Sequence, residues 1–325
     1  MPPEVVTVIL CVFNGERHLD ETIRSVRDQT YPHWQLLIID DGSADRSHEI
    51  AQRHALEDAR IRVIQQANSG VRVARNRAME LADTRWVALL DHDDVFLPTK
   101  LERQMTYLAA HPHLAALGTY GYRIGSTGGR LGYFDVGPRD EVQYRQLMDQ
   151  HAIIYLLAAS VVFDRTLALS VGGFPLLTAA EDVGLWSRMA DHAPVLALPE
   201  RLVNYRVHSG STSGRKLHLQ RLELEFIRRG NLRRHTGQQG LAFEQFMAEW
   251  HAEPAAARRA FERESASLNA YRIAGGLLAD RRPSGLVWLA RSIALNPAGR
   301  LRRVATQLNL WGRVRRRSRP APPAP

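Results

Sequence analysis

The sequence predicts an α/β protein: a mostly parallel sheet with helices on both faces, followed by a helical extension. Three observations carry that prediction. Strand-like and helix-like segments alternate through the first third of the chain, the pattern of right-handed crossovers between parallel strands. Three polar clusters, Asn14-Gly15, Asp40-Asp41-Gly42-Ser43 and Asp91 to Asp94, each follow a strand-like run. In an open α/β sheet such positions share the ligand-binding edge beyond the carboxyl ends of the strands. After about Leu217 the pattern becomes almost wholly helical and rich in Arg, Ala and Leu.

Taken in order, Val5 to Phe13 reads as a strand, Glu16 to Gln29 as an amphipathic helix and Trp34 to Ile39 as a second strand. Ser43, a good N-cap, is expected to open a helix reaching about Leu56. Ile61 to Gln65 is a short strand, Gly70 to Leu81 a helix, and Trp86 to Leu90 the strand that runs into the aspartates. From Leu114 to Phe163 the pattern loosens. Glycine-rich turns (Gly125 to Gly132) separate short strands, a helix is expected near Asp140 to Asp149, and Ile153 to Phe163 reads as a strand. Glu181 to Ala190 looks helical, with two acids suited to its positive end. Arg201 to Val207 reads as the last strand. This organisation gives an α/β domain over 1–215, a helical extension over 216–317 and a disordered Pro-rich tail over 318–325.

At 45% hydrophobic and 24% charged, the composition is that of a globular chain, which excludes a disordered protein. The single cysteine, Cys11, excludes an internal disulfide framework and fits a reducing compartment. It lies in an apolar strand-like run, which favours a buried thiol over a nucleophile. Met1 to Glu4 has no basic region, and the longest nearly apolar stretch, Ala152 to Phe163, is too short to span a bilayer. A cytoplasmic protein, soluble or peripheral on the inner face of the membrane, is the expectation.

The net charge of +9 is unevenly placed. Residues 281–325 hold eleven arginines and no acidic residue, so the rest of the chain sums to −2. Within 300–317, Leu301, Val304, Leu308 and Trp311 fall at helical spacing among arginines, the pattern of a basic amphipathic helix suited to an anionic membrane surface. The same pattern also fits a helix packed on the preceding α/β domain with a solvated basic face. Nucleic acid is the least favoured partner, because no recognised binding module accompanies the charge.

The segment Trp86 to Asp94, WVALLDHDD, carries the most chemistry. Side chains along an extended segment alternate, so Asp91 and Asp93 point to one side and His92 to the other. Two carboxylates on one side of a strand tip repel unless a cation lies between them. Mg²⁺ or Mn²⁺, hard ions with oxygen ligands, are the natural occupants, and they bring phosphates with them. A solvated turn ending in a helix cap is the other reading of the same residues.

Six ordered stretches settle which family the chain resembles: VILCVFNGE (8–16), LLIIDDGSADRS (36–47), NSGVRVARNRA (68–78), LLDHDD (89–94), AEDVGLWSRM (180–189) and YRVHSGSTS (205–213). In this order and spacing they resemble the GT-A-fold, inverting glycosyltransferases of family 2, which transfer a sugar from a nucleotide diphosphate. The resemblance runs from about Val5 to Ser213, and its one visible departure is Cys11, where the family usually has Pro.

The resemblance implies roles residue by residue. Asp40 contacts the base, with Phe13 and Asn14 beside it, and Asp41 braces the loop or the ribose. Arg75 lies near the nucleotide. Asp91-His92-Asp93 is the DXD motif, with Asp93 on the metal and Asp91 near the ribose or a metal-bound water. In a strand, Arg206 and His208 share a face and could both reach the pyrophosphate or the metal; a lone histidine is also often a packing residue. Inversion needs a base opposite the leaving group, as in glycoside hydrolysis with an acceptor hydroxyl replacing water. Asp182 matches that position, with Glu181 beside it. Neighbours on a helix point about 100° apart, so only one faces the donor, and Asp182 is favoured. Trp34 and Trp186 read as core residues. The implied donor is a nucleotide-diphosphate sugar, with UDP the default, and the implied acceptor a cell-envelope glycan or lipid-linked sugar. Two rivals are a nucleotidyltransferase or dinucleotide enzyme on a similar sheet and a catalytically silent nucleotide-sugar-binding scaffold. The lack of a G-x-G-x-x-G turn after the first strand counts against the dinucleotide version.

Overall fold

Alternate residues of the first strands are apolar on both sides, and the structure explains why: helices cover both faces of one sheet. The computed structural model describes residues 4–207, 217–279, 282–297 and 299. In chain order the elements are β1 (Val6–Val12), α1 (Leu19–Arg27), β2 (Trp34–Asp40), α2 (Ser47–Glu57), β3 (Ile61–Gln65), α3 (Val71–Leu81), β4 (Trp86–Asp91), β5 (Val95–Phe96) and α4 (Lys100–Ala110). They continue as β6 (Ala116–Ile124), β7 (Arg130–Phe134), α5 (Glu141–Asp149), β8 (Val162–Asp164), α6 (Arg165–Ser170), α7 (Glu181–Ala190) and β9 (Val195–Arg206). Four helices follow: α8 (Leu217–His235), α9 (Phe243–Ala252), α10 (Ala255–Ala279) and α11 (Gly285–Leu295).

The strand order is β3-β2-β1-β4-β8-β6-β9-β5, with β7 paired to β6. Strands β3, β2, β1 and β4 are mutually parallel, as the alternation predicts, whereas β8 runs antiparallel between β4 and β6. Period-2 burial divides the core. Val6, Val8, Leu10, Val12, Leu36, Ile38, Ala88 and Leu90 join the layer that includes Leu19, Ile23 and Leu101 of α1 and α4. Ile9, Leu37, Ile39, Val87 and Leu89 join the layer that includes Ala74 and Ala78 of α3 and Trp186 of α7. Trp34 and Trp186 are both core residues.

Register aligns the site. Val12 is opposite Asp40 and Cys11 is opposite Asp91, so the carboxyl ends of β1, β2 and β4 form one edge.

Several elements depart from the sequence expectation. The helix expected from Ser43 begins at Ser47, because Ser43 Oγ is used in the preceding loop, where it accepts from Asn14 N at 3.0 Å. The stretch Ile153 to Phe163 is not one strand: a 3₁₀ turn (Ala158–Ser160) interrupts it, and only Val162–Asp164 pairs. Its apolar character reflects burial of irregular chain. The last strand begins at Val195, six residues before the expected start, and runs parallel to β6.

The described residues fall into two units, one running through 207 and including Leu219–Phe246, the other comprising Leu217, His218 and the described residues from Met247 onward. In the second unit, α10 and α11 are joined by reciprocal bonds: Ser267 Oγ donates to Ser292 O at 2.7 Å, and Ser292 Oγ donates to Ser267 O at 2.6 Å. Among the described residues no helix is long and apolar enough to cross a membrane. The expected basic helix over 300–317 and the tail over 318–325 lie outside the described residues.

Candidate active site

The loop after β4 is held from below. Thr22 Oγ1, on α1, is 3.0 Å from His92 O and 2.8 Å from Asp94 O. His92 packs on Gly15, where an added Cβ would come within 2.5 Å of its ring. Asp94 is fully buried; its Oδ1 accepts Arg206 N at 2.8 Å, while Oδ2 has no hydrogen-bond partner. Burial, with the negative charges of Asp93 and Asp91, pushes the Asp94 carboxyl well above the usual range.

Arg206, which the strand pattern leaves able to reach the pyrophosphate or the metal, is engaged with the aspartate loop in this structure. Its side chain is buried, and the guanidinium donates to Asp93 O at 2.8 Å, Gly125 O at 3.3 Å and Glu21 Oε2 at 2.7 Å. It ties the aspartate loop to α1 and to the β6–β7 turn. His208, Ser211 and Ser213 lie outside the described residues.

Arg75 links two motifs separated by ninety residues of chain. On α3 and buried, it donates through Nη2 to Asp91 Oδ1 at 2.5 Å and through Nη1 to Glu181 Oε1 at 2.7 Å. A guanidinium has the fork geometry for two carboxylates at once. Arg75 is thus a brace between the end of β4 and the start of α7. The side chain of Asp91 remains 32% exposed.

Asp182 follows Glu181 in the first turn of α7. Glu181 is buried against Arg75, whereas Asp182 is only partly buried. Burial raises the Asp182 carboxyl most, the Glu181 charge adds to it, and Arg75 opposes both; the result is a pKa of about 7. Of the two acids, Glu181 is the one that pairs directly with Arg75.

The loop after β2 is more enclosed than expected. Asp40 is fully buried, with Oδ1 accepting Ser43 N at 3.0 Å and Oδ2 accepting Gln65 Nε2 at 3.0 Å; His48 Nδ1 is 3.1 Å from Oδ2. At the place where the resemblance implies a contact with the base, the carboxylate is buried and shapes the loop. Asp41 braces a second loop, accepting from Gln66 Nε2, Ser69 N and Gly70 N at 2.6, 3.0 and 2.8 Å. Gly70 N-caps α3 with φ 87°, a left-handed value that favours glycine. Asn14 adopts φ 51° and its Oδ1 accepts Ala44 N at 2.9 Å, which leaves Phe13 47% exposed at the edge. Burial pushes the Cys11 thiol up to about 12, which fits an inert side chain.

Among the described residues no three His, Cys, Asp or Glu side chains gather as a self-sufficient metal cluster. The donor set at the β4 tip nevertheless suits a hard cation: oxygen atoms only, with Asp94 Oδ2 unpartnered beneath. Asp91 and Asp93 are the residues that would hold it, together with a diphosphate.

An open α/β sheet with aspartates at the tip of β4, bridged through Arg75 to the acidic start of α7, has the architecture of the GT-A glycosyltransferase fold. The chain belongs to glycosyltransferase family 2, whose family description, Glycosyl transferase family 2, matches residues 7–167. It is 31% identical to an Escherichia coli protein, UDP-Glc:alpha-D-GlcNAc-diphosphoundecaprenol beta-1,3-glucosyltransferase WfgD, over 66% of this chain and 82% of that one. Its fold is similar to S. aureus TarS 1-349 in complex with UDP-GlcNAc, with TM-score 0.57 and 16% identity over 90% of this chain and 89% of that one. It is also similar to the mannosyltransferase PcManGT from Pyrobaculum calidifontis in complex with GDP-Man and Mn²⁺, with TM-score 0.54 and 19% identity over 94% and 81%. The chain is a glycosyltransferase.

Proposed function

We propose that this glycosyltransferase transfers a sugar, with inversion, from a UDP-sugar to a hydroxyl of a lipid-linked or cell-envelope glycan, using Mn²⁺ or Mg²⁺. The Arg75 bridge carries the reading, because it brings the DXD strand and the Glu181-Asp182 helix into one site. Phe13, Asn14 and the loop shaped by Asp40 form the base end of the cleft, and Asp41 fixes the entry to α3. Asp91 and Asp93 would hold the metal, which would neutralise charge on the departing diphosphate. Asp182 takes the proton from the acceptor hydroxyl as that oxygen attacks the anomeric carbon. Arg75 keeps Glu181 engaged, so that one carboxylate of the pair is available for the proton. A lipid-linked acceptor is supported by the name of the E. coli relative, and a UDP-sugar by that name and by the ligand of the S. aureus neighbour. Such an acceptor fits a protein working at the inner face of a membrane.

A panel of nucleotide-sugars, assayed for metal-dependent release of nucleoside diphosphate with and without undecaprenyl-diphosphate-linked sugars, tests this reading. One donor should turn over, release should stop with EDTA and return with Mn²⁺, and the product should carry the inverted anomeric configuration. Retained configuration, or turnover indifferent to EDTA, would overturn the mechanism.

A further inference from the structure

The motif residues account for the donor edge of the sheet but not for what holds the base helix in place. Residues 178–180 lead into α7 without regular structure. They are fixed by α8, whose Glu223 lies outside the residues matched by the family description. Glu223 Oε1 accepts Thr178 N at 2.7 Å and Oε2 accepts Ala179 N at 2.8 Å. Gln220, one turn earlier, donates Nε2 to Ala179 O at 3.0 Å. Both groups of one backbone peptide segment are thus bound from a single helix face. Beneath them Leu177, Ala180 and Val183 pack with Ile227 of α8 in a small separate apolar cluster.

We infer that Glu223 is a positioning residue for the transfer reaction: by binding the Thr178 and Ala179 amides it sets the start of α7 and hence the place of Asp182. This rests on the reading of Asp182 as the base. The arrangement has an energetic signature. Glu223 is buried, and burial pushes its carboxyl up, opposed by the amides it binds; Glu181 adds like charge. A buried carboxylate is costly unless its hydrogen bonds are complete, and here they are made to backbone rather than to a cation. A leucine or methionine at this place would fill the volume more cheaply, so the acid serves the geometry of the segment. Arg75 fixes Glu181 from the sheet side while Glu223 and Gln220 fix the preceding residues from the helix side. Asp182 is left between two restraints, and an error of about 1 Å at a reacting group can cost on the order of 100-fold in rate.

The test compares the full-length wild type with E223A, E223Q, Q220A and D182N. Three readouts are used: amide hydrogen exchange across 176–182, binding of UDP with Mn²⁺, and the pH dependence of turnover with the nucleotide-sugar that the panel identifies. In E223A the Thr178 and Ala179 amides should exchange at least about tenfold faster, since each loses its acceptor. UDP affinity and donor KM should stay within about threefold while kcat falls about tenfold or more. The acid limb of the rate profile should move to lower pH as Asp182 gains solvent. E223Q, which keeps one acceptor oxygen, should fall between E223A and wild type. A kcat for E223A within about twofold of wild type, or a defect confined to KM, overturns the positioning role. Should E223A fail to fold, E223Q and Q220A carry the same decision by the same kcat-against-KM split. Failure of the base reading shows separately: D182N would then keep wild-type kcat, while the exchange data still report whether Glu223 holds the segment.

Discussion

Asp182 is a partly buried carboxylate with a pKa of about 7, beside Glu181 and within the field of Arg75 and Asp91. Its activity and its effect on stability have opposite dependence on pH. A base must be deprotonated, so turnover should rise with pH through about 7. Because the folded-state pKa is raised, the stability associated with the neutral form is complete below the unfolded value and is lost as pH rises through about 7. D182N, neutral at every pH, should therefore melt with the wild type near pH 4 and above it at pH 8. The same variant should lose about 100-fold or more in kcat with UDP binding kept. Equal melting curves at pH 8 would show that the site does not burden the fold. Arg75 is the counterpart. Removing it leaves Asp91 and Glu181 facing each other without their shared cation, and breaking such a buried pair costs about 3–5 kcal/mol. R75M should show a loss of that order in urea unfolding, and a loss under about 1 kcal/mol would mean the bridge is solvated.

At the scale of elements, the site depends on loops whose ends are tied by carboxylates. Asp41 binds the amides of Ser69 and Gly70 and so determines where α3 begins, with Arg75 in its second turn. Hydrogen bonds to a charged group contribute about 1.5–3 kcal/mol each. D41A should thus destabilise by roughly 3 kcal/mol or more, and chemical denaturation with the m-value checked would measure it. The parallel βαβ core was legible because period-2 burial on both faces leaves a plain mark in the sequence, and the carboxyl-edge rule then gathered Asn14, Asp40 and Asp91. Other elements leave no such mark. The start of α2 moved because a loop bond captured Ser43, and the apolar run from Ile153 to Phe163 resembled a strand only because buried irregular chain is also apolar. The pairing of β6 with β9 joins segments about eighty residues apart with register shifts that no local pattern encodes. Within the site, residue types pointed to Asp91, Asp93 and Asp182, but not to which charges would be spent on bracing. Arg206 and Asp40 turn inward for that reason, and Glu223 carries no motif because its partners are backbone amides.

For the whole molecule, the charge asymmetry bears on the proposed reaction with a lipid-linked acceptor. The 45 residues from 281 onward carry all of the excess positive charge, and the preceding chain is slightly acidic. Within the second unit, α11 exposes Leu286 at 60% and Val287 at 71%, with Arg291 stacked on Trp288. Apolar side chains flanked by arginine suit the headgroup boundary of a bilayer. The segment 298–325 adds eight arginines, and basic residues near an anionic surface contribute about 1 kcal/mol each before losses to geometry and screening. Co-sedimentation of the full chain with phosphatidylglycerol vesicles should therefore exceed that with phosphatidylcholine vesicles, and should fall steeply when salt is raised to about 0.5 M, where the screening length drops to a few ångströms. A chain ending at Pro297 should bind anionic vesicles at least about tenfold more weakly, while turnover with a water-soluble acceptor analogue stays at the full-length value. Equal sedimentation of the two chains would remove the terminal segment from membrane docking and leave the exposed face of α11 as the surface to substitute next.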